Sequence, residues 1–234
     1  MPHLLISGGT RGIGRACVQL FANKGYKVSS LSRYGKPADA IEGVSYYECD
    51  VKDFDEVSKA VNTAVSENGP VDVLISNAGV AHSGLAQDMG SNDYRDIIDT
   101  NFGGLFNLTH AVIPIMVRQG SGVILAVSSM WGQTGASCEA LYSASKGAVD
   151  SYVKALAKEL GPSGIRVNAV SPGAVATDMM KGYTEDDISV LCDDTPLGRM
   201  GNPEEIAETL YFLQSDKAAF ITGQIVGVNG GYLI

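Results

Sequence analysis

A tyrosine and a lysine lie four residues apart in the segment YSASK, as Tyr142 and Lys146. The apolar spacing around them predicts a helix, in which residues i and i+4 share one face. A free phenol has a pKa of about 10, and a neighbouring ammonium favours its charged form. The pair could therefore move a proton to or from a substrate oxygen, although an amphipathic helix packed through its small residues would also explain it.

A glycine-rich loop, SGGTRGIG, follows the first apolar run and opens a helical segment. Gly8, Gly12 and Gly14 permit a tight turn and let backbone N–H groups approach a pyrophosphate at the helix N-terminus. Such a loop alone is a weak signal, and a structural turn explains it about as well. Its position between a strand and a helix favours a dinucleotide site.

The end of the second predicted strand distinguishes the two nicotinamide cofactors. NAD sites usually place an acidic residue there to hold the ribose 2′-hydroxyl, whereas NADP sites offer arginine to the 2′-phosphate. Here the strand ends with Ser32 and Arg33, and the glycine loop adds Arg11. We therefore predict NADP(H) rather than NAD(H). Asp50, after the third strand, is expected to accept a hydrogen bond from the adenine amino group.

Composition and charge argue against several classes of protein. The 234 residues are 45% hydrophobic with a net charge of -9, and so acidic a chain is unsuited to nucleic acid or an anionic membrane. No apolar run reaches about 18 residues and no leader-like start occurs, so neither a membrane span nor export is expected. The scattered cysteines indicate no disulfide framework and no metal site, which fits a reducing cytoplasm. Cys138 is expected to be a buried structural thiol.

Short β-rich runs alternate with segments of helical period, which is typical of βαβ units and a parallel α/β sheet. Seven strands are predicted, from HLLIS to QIVGVNG, within a single domain over residues 1–234. Helices are predicted to begin near Gly12, Phe54, Ser91, Glu139 and Pro203. Residues 177–202 interrupt the alternation, and we expect this long acidic segment to cover the substrate as a lid rather than form a plain surface loop.

The motifs GGTRGIG, SNAG, VSSMWG, YSASK and SPGAVATDM, in this order, resemble the short-chain dehydrogenase/reductase family over essentially the whole chain. The resemblance implies a single-domain Rossmann fold, with a seven-stranded doubly wound parallel sheet and helices on both faces. It also implies an oxidoreductase that acts on a ketone or a secondary alcohol. Its catalytic set falls on Asn101, Ser129, Tyr142 and Lys146.

Each member of this set has an expected role in reducing a ketone, which needs a hydride at carbon and a proton at oxygen. Tyr142 is expected to supply the proton, and Ser129 to polarise the carbonyl. Lys146 is expected to lower the pKa of Tyr142 and to hold the nicotinamide ribose. Asn101 is expected to hold a water that links Lys146 to solvent.

The residues expected to bind the cofactor lie mostly where strands end. They are Gly8, Thr10, Arg11, Gly12, Ile13, Gly14, Ser32, Arg33, Asp50, Val51, Asn77, Ala78, Gly79, Tyr142, Lys146, Pro172, Gly173, Val175 and Thr177. Of these, Pro172, Gly173 and Thr177 are expected to surround the nicotinamide carboxamide.

The sequence motifs restrict the identity of the substrate less than they restrict the fold and the catalytic residues. The stretch ALAKELGPSGIRVNAVSPGAVATDM is similar to 3-oxoacyl-acyl-carrier-protein reductases, although so acidic a chain needs a local basic patch to recruit an acidic carrier. The stretch WGQTGASCEALYSASK is similar to elongation factor P 5-aminopentanone reductases, which reduce a ketone on a modified translation factor. The ketone would thus be carried on a thioester or a protein. Small ketones and hydroxysteroids are less favoured substrates than these two. A dinucleotide-binding sensor without catalytic activity is the least favoured function, because the catalytic set is complete. The family implies a homotetramer or a dimer.

Overall fold

Seven parallel strands form one sheet in the computed structural model, which describes residues 1–234. The strands are β1 (His3–Ser7), β2 (Lys27–Ser32), β3 (Val44–Glu48), β4 (Val73–Ser76), β5 (Gly122–Val127), β6 (Ile165–Pro172) and β7 (Ile225–Val228). Their order across the sheet is β3-β2-β1-β4-β5-β6-β7, and every neighbouring pair is parallel. This is the doubly wound order of a Rossmann fold, so the predicted fold class is confirmed.

Eight α-helices connect the strands. They are α1 (Gly12–Asn23), α2 (Phe54–Asn68), α3 (Ser91–Ile98), α4 (Gly104–Gln119), α5 (Met130–Thr134), α6 (Ala140–Leu160), α7 (Glu185–Asp193) and α8 (Pro203–Gln214). The predicted helix starts agree with the structure to within one residue. The sequence patterns did not predict α5, α7 or the π-helical turn Asp99–Gly103 between α3 and α4. None of the helices combines the length and the apolar character needed to cross a membrane.

The sheet is buried on both faces by two apolar clusters. Successive side chains of a strand point to opposite faces, so Leu5 of β1 joins one cluster while Leu4 and Ile6 join the other. The Leu5 cluster includes residues of α2, α4 and α6, and the second cluster includes residues of α1 and α8. Burial on both faces explains why central strands such as β4 and β5 are nearly continuous apolar runs rather than alternating ones.

The strand order reverses between β1 and β4, which are neighbours in the sheet although β2 and β3 separate them in the chain. Ser7 and Ser76, the last residues of these two strands, are register partners. The glycine loop after β1 and the SNAG segment after β4 therefore leave the sheet side by side. Ligands of open α/β sheets bind in the crevice at such a switch point.

Candidate active site

The glycine loop is packed so closely that a Cβ would clash at Gly8, Gly9 and Gly14. Gly8 has φ +70° and lies against the loop that follows β4. A Cβ on Gly8 would be 2.9 Å from Asn77 Nδ2. A Cβ on Gly14 would overlap the carbonyl oxygen of Gly8. The backbone can therefore come close to a bound pyrophosphate only with glycine at these positions.

Hydrogen bonds from the SNAG segment hold the loop in place. The backbone N–H groups of Asn77 and Ala78 both donate to Ser7 Oγ at 3.1 Å. The Asn77 side-chain amide donates to the carbonyl oxygens of Ser7 and Gly8 at 3.2 and 3.1 Å. Asn77 thus stands at the predicted crevice, and its amide fixes the shape of the glycine loop.

The N-terminus of α1 is free to bind an anion. Arg11 precedes the helix in an extended conformation and gives it no side-chain cap, so the first N–H groups lack partners. Thr177 faces this end, with its Cγ2 3.2 Å from where a Gly12 Cβ would stand. Thr10 and Ile13 belong to the same turn. An open cleft of about 650 Å³ runs along α1 from Gly12 to Gln19 and is bordered by residues 176–181 and by the start of α8. These residues fit a bound dinucleotide.

The end of β2 carries the residues predicted to select the cofactor. The Arg33 guanidinium is exposed and lies 5.8 Å from the centre of the Tyr34 ring. Ser32 is buried, and its hydroxyl donates to Gly35 O at 2.9 Å. Because that proton is already committed, Ser32 does not offer a free donor in this structure. Arg33 is the positively charged side chain at this strand end.

Asp50 and Val51, after β3, have internal partners. Asp50 Oδ1 accepts from the N–H of Lys52 at 3.0 Å, and Lys52 Nζ lies 3.7 Å from Asp50 Oδ2 and 3.1 Å from Asp96. Val51 is buried, and its carbonyl oxygen accepts from Asn107 Nδ2 at 2.9 Å. Asp50 retains free lone pairs for an adenine amino group. Lys52 is a basic neighbour that the sequence analysis did not consider.

The residues predicted to surround the nicotinamide follow β6. Gly173 lies so close to the end of the chain that a Cβ there would be 2.9 Å from Asn229 Cα. Pro172 and Val175 are buried, and Val175 pairs with Gly201 through an isolated parallel bridge. This segment is therefore fixed to the sheet before the chain enters residues 177–202.

Residues 177–202, the predicted lid, contain a 3-10 turn and α7. The segment borders the cleft at the start of α1 and brings Tyr183 towards α6, where the phenol donates to Glu139 Oε1 at 3.4 Å. Its location is compatible with a lid, and closure over a substrate stays a prediction.

Three of the four predicted catalytic residues meet where β5 ends. Tyr142 and Lys146 are both buried on α6, with Lys146 Nζ 5.6 Å from the centre of the Tyr142 ring. Lys146 Nζ donates to Val127 O, at the end of β5, at 2.8 Å. Ser129, two residues later, caps α5 and adjoins the Tyr142 phenol, whose pKa it lowers. The site thus combines a phenol, a hydroxyl and an ammonium.

Burial controls the protonation of this pair. Burial raises the pKa of Tyr142 to about 12, while the neighbouring Ser129 hydroxyl lowers it and the charge of Glu139 raises it further. Burial also lowers the pKa of Lys146 to about 8. The lowered pKa expected from Lys146 together with an oxidised nicotinamide is not seen in this structure, where the loss of solvation dominates and Lys146 is not among the groups that shift Tyr142. Tyr142 therefore holds its proton at neutral pH and is suited to donate it.

Asn101, the fourth predicted residue, lies in the π-helical turn. Its Oδ1 accepts from Val80 N at 2.8 Å, and its Nδ2 donates to Val80 O and Ser145 Oγ, both at 2.9 Å. A Cβ on Gly79 would lie 3.2 Å from Asn101 Oδ1 and 3.6 Å from Lys146 Nζ. The Asn101 amide thus joins the loop after β4 to α6 beside Lys146. Its predicted contact with a water stays a prediction.

Glu139 is a buried carboxylate that the sequence analysis did not single out. It lies three residues before Tyr142, and its Oε1 accepts from Ser83 Oγ at 2.7 Å. The helical spacing to Tyr142 was the available signal, since residues three apart share a helix face. The residue before it, Cys138, is exposed with φ +61°. The expectation of a buried Cys138 thiol is therefore wrong.

A glycine loop on a Rossmann sheet, with a buried tyrosine and lysine at the strand ends, defines a nicotinamide-type oxidoreductase. The chain belongs to the short-chain dehydrogenase/reductase family and acts on a ketone or alcohol group. Residues 8–233 match the family model described as enoyl-(acyl carrier protein) reductase.

Relatives and solved structures agree with this assignment. An uncharacterized oxidoreductase of Bacillus subtilis, YmfI, is 40% identical over 97% of each chain. The 3-oxoacyl-[acyl-carrier-protein] reductase FabG of Thermotoga maritima is 38% identical over 98% of this chain and 97% of its own. A 3-ketoacyl-(acyl-carrier-protein) reductase from Brucella melitensis, solved with NADH, has a TM-score of 0.93 at 32% identity, covering 100% and 98% of the two chains.

Replacing Gly14 by Ala is expected to displace the glycine loop, because the new methyl would overlap Gly8 O. Overpacking of this kind costs about 1–3 kcal/mol. Thermal unfolding should show a Tm lowered by several degrees, and fluorescence titration should show weakened NADPH binding. Gly161→Ala is the matched control, since Gly161 has right-handed helical angles and open space around its Cβ position. Unchanged NADPH binding by Gly14→Ala would contradict the role of the loop.

Proposed function

We propose that this protein is an NADPH-dependent reductase that converts a ketone to a secondary alcohol. The observation that carries the proposal is the buried, protonated Tyr142 beside Ser129, at the strand ends that adjoin the glycine loop. A phenol that keeps its proton at neutral pH is suited to give it to an oxygen that becomes an alkoxide.

When bound, NADPH supplies the hydride that the carbonyl carbon receives. Ser129 donates a hydrogen bond to the carbonyl oxygen and so stabilises the negative charge that develops there. Tyr142 transfers its proton to the same oxygen, which completes the alcohol. Ser129 stabilises the phenolate left behind, which regains a proton from solvent through the polar groups around Asn101.

The choice of NADPH rests on the two arginines. No acidic residue ends β2, and Arg33 and Arg11 provide the charge that a 2′-phosphate requires. The Brucella relative was solved with NADH, so family membership alone does not select the cofactor. Lys146 would hold the nicotinamide ribose hydroxyls.

Two substrates have specific support. The relatives named as 3-oxoacyl-[acyl-carrier-protein] reductases favour a ketone on an acyl thioester. The buried carboxylate of Glu139, one turn before Tyr142, favours a ketone that carries an amine, as in the aminopentanone group on elongation factor P. We further propose a cytoplasmic homotetramer or dimer, and residues 177–202 as the lid over the substrate.

A substrate panel tests the proposed reaction. NADPH oxidation, followed by absorbance, is expected with an acetoacetyl thioester or with elongation factor P carrying the aminopentanone group. A crotonyl thioester is the control, because it presents a carbon–carbon double bond in place of the ketone. Oxidation of NADPH with crotonyl thioester alone would overturn ketone reduction and favour an enoyl substrate.

Replacing Tyr142 by Phe is expected to lower the turnover of any ketone by about 10²–10⁴-fold, because the proton donor is lost. NADPH binding, measured by fluorescence, should change little. Tyr152→Phe is the matched control on the same helix, since the Tyr152 hydroxyl bonds Thr109 and lies outside the proposed set. Turnover by Tyr142→Phe at the wild-type rate would refute the assignment.

Replacing Arg33 by Ala is expected to lower kcat/KM for NADPH by about tenfold or more while that for NADH changes little, since one charge-assisted bond to the phosphate is lost. Arg118→Ala, at an exposed position of α4, is the control for a general effect of charge. Equal wild-type kcat/KM values for NADPH and NADH would contradict the cofactor assignment.

A further inference from the structure

Asp150 is a buried carboxylate that takes no part in the catalytic set. It lies on α6 and is only 5% exposed. The Ser128 hydroxyl donates to its Oδ1 at 2.5 Å, and no lysine, arginine or histidine nitrogen lies within 4.0 Å of it. A buried carboxylate is costly unless a positive charge or several donors compensate it. A single hydrogen bond does not account for a charge at this position.

Lys146 is a buried ammonium with equally few partners. It is 4% exposed, and the single hydrogen bond of its Nζ goes to Val127 O. The Tyr142 phenol, whose ring centre lies 5.6 Å away, keeps its proton and so carries no charge at neutral pH. The other elements packed against Lys146 contribute uncharged residues, namely Ser128 after β5, Gly132 of α5, Gly79 after β4 and Asn101 of the π-helical turn. The counter-charge of Lys146 must therefore come from α6 itself.

Asp150 is placed to supply that counter-charge. Lys146 and Asp150 are four residues apart and share one face of α6, where the Cβ atoms of such a pair are about 5–6 Å apart. Ser128 contacts both residues, because its hydroxyl bonds Asp150 Oδ1 and lies 3.4 Å from Lys146 O. Burial lowers the pKa of Lys146, and Asp150 is the one charged group that opposes this fall. Glu139 acts on Tyr142 instead.

The surroundings of Asp150 favour its ionised form. Burial raises the pKa of Asp150, while the Ser128 hydrogen bond and the charges of Lys154 and Lys146 lower it, and no acidic residue acts on it. Lys154 is exposed one turn further along α6. Asp150 also lines an open cleft of about 510 Å³, which is bordered by α5, α6 and residues 223–225. The carboxylate thus stands between a buried ammonium and an exposed one.

We propose that Asp150 is a positioning residue whose negative charge keeps the buried Lys146 ammonium protonated, which allows Lys146 to bind the nicotinamide ribose throughout the neutral pH range. The proposal rests on the proposed binding of NADPH by Lys146 and adds a group that touches neither cofactor nor substrate. A charged ammonium donates stronger hydrogen bonds to ribose hydroxyls than a neutral amine does. Loss of the carboxylate would therefore weaken NADPH binding only at a pH where Lys146 then loses its proton.

The titration of Lys146 tests the proposal without cofactor or turnover. Asp150→Asn removes the charge but keeps an oxygen that can accept the Ser128 hydrogen bond. In protein labelled with ¹³C-lysine, the Lys146 Cε resonance, assigned by its loss in Lys146→Arg, is expected to titrate near pH 8 in the wild type. In Asp150→Asn the midpoint should fall by about one pH unit or more, since an opposite charge at this distance has an effect of that size. Glu159→Gln, at an exposed position of α6, should leave the midpoint unchanged.

The pH dependence of NADPH binding, measured by fluorescence, separates this effect from a structural one. Binding is expected to weaken as the pH rises through the Lys146 midpoint, because the ammonium is lost there. A midpoint about one pH unit lower leaves about a tenth of Lys146 charged at about pH 8, against about half in the wild type. Asp150→Asn should thus bind NADPH about fivefold more weakly than wild type at about pH 8, and within about twofold of wild type at about pH 6.5.

An unchanged Lys146 midpoint in Asp150→Asn would overturn the counter-charge, and so would a loss of NADPH binding that is equal at both pH values. A lowered midpoint with NADPH binding that does not follow it would instead overturn the proposed contact between Lys146 and the cofactor. Asp150→Leu, which removes the charge and suits a buried helix position, gives the same reading where Asp150→Asn does not fold.

Discussion

The active site depends on the burial of a tyrosine and a lysine on one face of α6. Removing both groups from water disfavours their charged forms, so Tyr142 keeps its proton and the pKa of Lys146 falls to about 8. Holding Lys146 charged in the fold at neutral pH costs about 3 kcal/mol, and this cost declines as the pH rises through 8. The Val127 carbonyl, which accepts from Lys146, offsets part of that penalty.

The end of β5 and the close contact between α5 and α6 position the groups that surround Tyr142 and Lys146. A Cβ on Gly132 would lie 2.8 Å from the backbone of Lys146, so α5 packs directly on α6. Since Ser129 caps α5, this contact fixes the distance between the Ser129 hydroxyl and the Tyr142 phenol. Ser128 adds a second tie, because its hydroxyl donates to Asp150 of α6 at 2.5 Å. The geometry of the acid therefore rests on rigid elements rather than on a loop.

Much of this arrangement could be predicted from the sequence, because buried parallel strands and amphipathic helices leave regular apolar patterns. Strands such as His3–Ser7 and helix starts such as Phe54 matched the structure closely. The short helices α5 and α7 were not predicted, since short helices depend on tertiary contacts more than on local pattern. The direction of the Tyr142 pKa shift depends on how deeply the phenol is buried. Whether the Ser32 hydroxyl can bind a cofactor depends on its hydrogen bond to Gly35 O. A single sequence displays neither.

Glu139 links substrate recognition to acid strength. Its uncompensated charge raises the pKa of Tyr142 and so opposes loss of the phenolic proton. A substrate ammonium near this carboxylate would cancel that field, and the phenolate formed during reduction would then be more stable. The ligand that fits the pocket would thereby strengthen the acid that acts on it, whereas a neutral ketone would meet a phenol still restrained by the carboxylate. Binding energy at a group remote from the carbonyl would in this way appear in the rate of the chemical step.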